Sequence, residues 1–170
     1  VPHIYIRPVV AAAMVICFLL IWGDTEFIGL GLDTIENAFH IQQPYYSFLI
    51  KIVLTAITLG AGFKGGEVTP LFFIGATLGS ALSGILPLPI DLLSGMGFVA
   101  VFTAAANTPI ACILMGIELF GASSAIYIAI SCVVAYLFSG HNGIYSSQKI
   151  GHAKHPFWIR HTGKYLNMFN

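Results

Sequence analysis

Between Leu92 and Gln148 the only charged side chain is Glu118. A water-soluble fold of 170 residues cannot cover its surface with so few charges, so most of this chain must be solvated by lipid. Composition says the same. Hydrophobic residues make up 57% of the chain and charged ones 8%, where a soluble domain carries roughly 25% charged residues. The expectation is an all-α integral membrane protein.

The formal net charge is zero, but its distribution is uneven. After Gln148 come Lys149, Lys154, Arg160 and Lys164 without a single acid, interspersed with His152, His155 and His161. The positive-inside rule assigns such a tail to the cytoplasm. Asp24, Glu26, Asp33 and Glu36 form an acidic connection, which carries little topological information. The chain opens "VPHIYIRPVV", without methionine or signal peptide. The expectation is a chain that starts midway through a longer protein.

Apolar runs separated by breakers set the organisation. They are Val9 to Trp22, Tyr46 to Leu59, about Pro70 to Leu86, Leu92 to Ala105, Ile110 to Phe120 and Ala125 to Phe138. A short polar helix is expected within "GDTEFIGLGLDTIENAFHIQQP". Lys51, inside the second run, is expected to snorkel from a helix end. Several runs have only 11 to 14 residues, whereas crossing the hydrocarbon takes about 20. About seven or eight short, tilted or half-spanning helices follow. Their ends, if at membrane depth, must line a polar cavity, because bare helix termini in lipid are too costly. That geometry suits a pathway for a polar or charged solute.

The stretch "GAGFKGGEVTPLFFIGATLGSAL", residues 60–82, supplies such a helix end. Thr69 suits an N-cap and Pro70 a first helical position. Gly65 and Gly66 let the backbone turn and approach a ligand. Free N–H groups and the positive end of the helix dipole make an anion site. At mid-membrane the ligand would be an anion in transit, as in transporters with broken helices. The plain alternative is a glycine-rich loop before an ordinary helix.

"GAGFKGGEVTPLFFIGATLG" resembles the CLC family of chloride channels and anion/proton antiporters, where a Gly-Gly-x-x-x-Pro turn opens a half-helix onto the central anion site. "SGMGFVAVFTAAANTPIACILMGIELFG" is similar to a downstream family segment, with Asn107, Pro109 and Glu118 at matching places. "GIYSSQ" resembles the start of the last membrane helix. The likeness covers about residues 10–152. It implies that the amides of Glu67, Val68 and Thr69 and the hydroxyl of Tyr145 bind the central halide. It also implies that the chain is the second of two inverted repeats, residues 1–152, followed by a basic tail, 153–170. The first repeat would supply the Gly-Ser-Gly-x-Pro turn and the turn with the gating glutamate; neither occurs in these residues. The missing repeat is therefore an expected partner.

Chloride-transporting members have an apolar pair such as Ile-Phe in the Gly-Gly-x-x-x-Pro turn. Glu67, Val68 and Thr69 stand here instead, which resembles the bacterial fluoride-exporting subgroup. Hydroxyl and backbone donors replace the water of a small, strongly hydrated ion better than an aromatic ring does. Glu67, beside an anion path, can carry a proton; alternatively it pairs with Lys64 and caps the turn.

The resemblance implies fluoride/proton antiport. A passive chloride channel and a chloride/proton antiporter remain open, as does a membrane-embedded bundle without transport activity of its own. An enzyme would need a nucleophile with its base, or metal ligands, and no such set appears. No cofactor and no nucleic-acid partner are expected.

Glu118 is expected to hydrogen-bond a loop or a neighbouring helix end. His141 and the tail histidines have no helical metal-ligand spacing and lie in a basic region, so solvated side chains are expected. Cys17, Cys112 and Cys132 stand singly in apolar runs and are expected to be buried thiols. Gly75-x-x-x-Gly79 marks a close-packing helix face. Residues 110–137 match the family's dimer-forming helices, so a homodimer is expected, although lipid contact explains the same apolar faces.

Overall fold

The computed structural model describes residues 6–140, 143–145, 147, 148 and 154. Seven α-helices and one 3-10 turn occur among them, and no strand. In order the helices are α1 (Ile6–Trp22), α2 (Leu32–Asn37), α3 (Ser47–Gly60), α4 (Val68–Leu82), α5 (Ile90–Ala106), α6 (Pro109–Phe120) and α7 (Ala125–Phe138). Each apolar run of the sequence became one helix, with ends moved by a few residues. No helix among the described residues is long and apolar enough to cross a membrane.

α4 is the central element. Eight of its residues between Phe73 and Ala81 are buried. α5 lies along one side of it and α3 along another, α1 packs outside α3, and α6 and α7 pack on α5. The α4–α5 contact is made by backbone. A Cβ built on Gly75 would collide with the main chain of Gly97 and Phe98, and one on Gly79 with Leu93 and Ser94. Gly97 answers from α5, where a Cβ would strike Gly75. Small residues permit this approach, and in lipid the packing itself must drive association. The glycine pair marked in the sequence is thus a packing face, as expected.

Aromatic rings cluster around Phe98 beside that seam. Phe72 stacks on Phe98 with centroids 4.0 Å apart and lies 5.0 Å from Phe102. Phe39 stacks on Phe120 at 5.4 Å. Most buried hydroxyls along α4 and α5 are satisfied by main chain, as a medium without water favours; Ser47 Oγ, at the start of α3, is buried with no hydrogen-bond partner among the described residues. Thr77 donates to Phe73 O at 2.7 Å, and Thr103 to Val99 O at 2.7 Å. Ser94 donates to Ala38 O at 2.6 Å, while Ser80 donates to Ile41 O at 3.1 Å and accepts from Gln43 N at 3.0 Å. These bonds tie the loop after α2 onto α4 and α5.

Val99, Cys112, Ile128 and Cys132 form the core shared by α5, α6 and α7. Two of the three cysteines are therefore buried as expected. Cys17 is not; it lies on the exposed side of α1. Glu118 also departs from expectation. It is exposed on the outer side of α6 and makes no hydrogen bond to another described residue, because that helix presents its buried side, Cys112 and Gly116, to α5 and α7.

Replacing Gly79 with alanine should destabilise the fold by about 1–3 kcal/mol, the usual cost of overpacking. The same change at Gly60, where an added Cβ meets nothing within 4 Å, should be neutral or mildly stabilising. Thermal unfolding of the two variants checks this; equal melting temperatures would remove the close contact as a stabilising element.

Candidate functional site

The turn between α3 and α4 builds the site. α3 ends with Ala61 N bonded to Ile57 O at 3.1 Å and Gly62 N to Leu59 O at 2.9 Å. Gly62 then takes φ +90°, a conformation that favours glycine. Of the glycines here, Gly62 makes the turn. Gly65 and Gly66 are exposed and have open space where a side chain would stand.

α4 begins two residues earlier than expected for Pro70 at the first position with Thr69 as cap. Glu67 occupies the N-cap position, Val68 and Thr69 the first two helical positions, and Pro70 the third. Glu67 makes no side-chain cap bond, and it forms no ion pair with Lys64. The shift leaves the proline harmless, since the first-turn N–H groups lack helical partners in any case. Leu71 N is the first to bond back, to Glu67 O at 3.4 Å. The amides of Glu67, Val68 and Thr69 therefore have no acceptor among the described residues. All three residues are half-buried. Three adjacent free donors on a dipole's positive end attract an anion.

Beside this turn lies a cavity of about 220 Å³, lined among others by Lys51, Thr58, Phe63, Gly65, Gly66 and Pro70. Lys51 is the residue whose role the sequence hid. It does not snorkel; it is 2% exposed. Its Nζ donates to Phe27 O at 3.0 Å and Gly29 O at 2.8 Å and sits 4.6 Å from the centroid of the Phe73 ring. The loop before α2, with Gly29 at φ +71°, turns these carbonyls inward. No described carboxylate pairs with it. A lysine alone in a short apolar run gave no sign of the loop that would cover it. The acidic cluster in that loop was visible, but Asp24, Glu26 and Asp33 line a separate polar pocket.

Tyr145 is exposed, and its hydroxyl bonds no described residue. Its segment is anchored to the end of α5. Ile144 N donates to Ala105 O at 2.9 Å, and Gln148 Nε2 to Ala106 O at 3.0 Å. The α4–α5 register pairs Gly79 with Leu93 and Gly75 with Gly97. Continued by antiparallel steps, it brings Val68 level with about Ala104. The start of α4 and the anchor of Tyr145 thus share one end of the helix pair.

Lys154 of the basic tail is half-buried. It donates to Asn107 Oδ1 and to Ser139 Oγ and lies 4.0 Å from the centroid of the Tyr136 ring. Burial lowers its pKa to about 8. His141, His152, His155, His161 and the expected boundary at residue 152 lie outside the described residues.

Residues 2–140 match the voltage gated chloride channel family. The chain belongs to the CLC family. A chloride/fluoride channel protein of Pseudomonas syringae pv. tomato is 55% identical over 130 residues, which is 76% of this chain and 29% of that protein. The voltage-gated ClC-type chloride channel ClcB of Salmonella typhimurium is 29% identical over 148 residues, 78% of this chain and 34% of that one. The crystal structure of a CLC-type fluoride/proton antiporter superposes with a TM-score of 0.76 at 38% identity, covering 81% of this chain and 35% of that one. The chain thus spans about a third of the length of these CLC relatives. CLC proteins are membrane transporters, so the short helices belong to a membrane fold.

Replacing Lys51 with methionine keeps the length of the side chain but strands the buried Phe27 carbonyl and the part-buried Gly29 carbonyl. The fold should lose about 1–3 kcal/mol, read by thermal unfolding in detergent. An unchanged melting temperature would mean that the two carbonyls find other donors.

Proposed function

We propose that this chain is the second repeat of an anion transporter and contributes the central halide site of a fluoride/proton antiporter. The observation that carries the reading is the set of free amides at Glu67, Val68 and Thr69, flanked by Gly65, Gly66 and Pro70, which line a cavity that the buried Lys51 also lines. An anion entering from water must exchange its hydration shell for protein donors. The three amides, the Thr69 hydroxyl and Tyr145 from the same end of the α4–α5 pair supply them. Gly65 and Gly66 keep the approach open. Lys51 lowers the cost of a negative charge nearby. Family membership and the shared architecture support transport rather than enzymatic chemistry.

Glu67 is the proton carrier in this reading. It stands half-buried at the N-cap with its carboxylate committed to no cap bond. An ionised carboxylate beside an anion path repels the anion, so the proton occupancy of this residue and anion movement are coupled. The first repeat, absent from these residues, supplies the gating glutamate. The chain acts as a homodimer through residues 110–137, where Ile110 is 75% and Ile126 72% exposed on the outer side of α6 and α7, and its basic tail faces the cytoplasm.

Reconstituted in vesicles, the complete protein should take up protons when fluoride is driven outward, and Glu67→Gln should abolish that uptake while fluoride flux persists. Unchanged coupling in the variant would leave Glu67 a structural residue. Exchanging Val68 and Thr69 for Ile and Phe removes one hydroxyl donor, so preference for fluoride over chloride should fall about tenfold, the equivalent of about 1.4 kcal/mol. Wild-type protein that moves chloride as readily as fluoride would replace this reading with that of a chloride channel.

A further inference from the structure

Three consecutive residues at the end of α5 each receive a donor from the segment that follows α7. Ala105 O accepts from Ile144 N, Ala106 O from Gln148 Nε2, and Asn107 Oδ1 from Lys154 Nζ. α5 stops at Asn107, whose φ of +56° ends the helix in the left-handed region and leaves the last carbonyls without helical partners. In a site excluding bulk water, unmet carbonyls are costly. The donors that meet them come from either side of Tyr145, one residue before it, then three and nine after it.

We propose that Gln148 and Lys154 are positioning residues that clamp the Tyr145 segment onto the end of α5 and so fix the tyrosine hydroxyl relative to the first turn of α4. This inference rests on the reading of Tyr145 as an anion ligand. Ile144 N alone is a pivot, since one hydrogen bond leaves the segment free to rotate about it. Gln148 adds a second point on the next carbonyl. Lys154 adds a third, and its second bond to Ser139 at 3.0 Å and its seat on the Tyr136 ring fasten the same segment to the end of α7. Three points fix an orientation. Lys154 is in this way coupled to the halide site through the α5 terminus, with no contact to the anion required. The Tyr145 ring has no such brace of its own, being 43% exposed, so its placement depends on its backbone.

The test uses the complete protein with a fluorinated tyrosine at position 145, observed by fluorine NMR, alongside fluoride titration calorimetry. Gln148→Met and Lys154→Met remove donors without adding charge. Each should shift or split the resonance at 145, and Lys154→Arg, which keeps a donor, should restore it. Fluoride affinity should fall about three- to tenfold in Gln148→Met, the range one lost hydrogen bond sets. Combining Gln148→Met with Tyr145→Phe should add nothing to the loss in Tyr145→Phe alone. A resonance unmoved in both methionine variants overturns the clamp, whatever the anion does. A resonance that moves while Tyr145→Phe binds fluoride as wild type overturns the ligand reading, and the positioning role with it. Additive losses in the double variant would mean that Gln148 acts on the anion by another route, which also overturns the proposal.

Discussion

The backbone-to-backbone seam between α4 and α5 is the contact on which the other elements depend. Gly75 and Gly79 face Gly97, Leu93 and Ser94 with no side chain between. That closeness fixes an antiparallel register, and the register sets which ends meet. The positive end of the α4 dipole comes to lie beside the negative end of α5, an arrangement favourable in a medium of low dielectric. It also brings the turn at Gly65–Thr69 and the segment of Tyr145 to the same end. With bulkier residues at the seam the helices would stand farther apart and the candidate site would open.

Around this seam the polar groups are handled in two ways. Hydroxyls in the interior, such as Thr77, Thr103, Ser80 and Ser94, are matched to carbonyls. The first turn of α4 is left unmatched. The half-buried amides of Glu67, Val68 and Thr69 have no acceptor among the described residues, and their neighbours Gly65, Gly66 and Pro70 line a cavity; the proposed anion site rests on that juxtaposition. Lys51 strengthens the contrast: a cation covered by its own protein, held by two carbonyls and an aromatic face, with no carboxylate.

Much of this was legible in the chain. The six apolar runs and the short polar helix gave the seven helices, because lipid-solvated segments must satisfy their backbone internally and breakers mark where that stops. The motif at residues 65–70 marked a helix start, although its phase was off by two residues. Thr69 resembles a good cap, but Glu67 took the position without using its side chain. Two of three cysteines were read correctly. Cys17, in an equally apolar run, faces outward, since hydrophobicity in lipid does not tell the inside of a bundle from the outside. For the same reason Glu118 was given a partner it does not have.

What the sequence determined by itself is the solvent, the helical class, the helix-opening turn and the likeness that assigns the family, because charge content and glycine-proline punctuation are local properties. What only the tertiary structure decided is which groups share a space. Lys51 becomes a buried cation only because the loop at Phe27–Gly29 folds over it. Lys154, from a tail whose sequence shows only its basic charge, docks on Asn107 because α5 ends there in a left-handed residue. Both outcomes depend on contacts between residues far apart in the chain, and spacing along a sequence carries no information about the orientation in which distant segments meet.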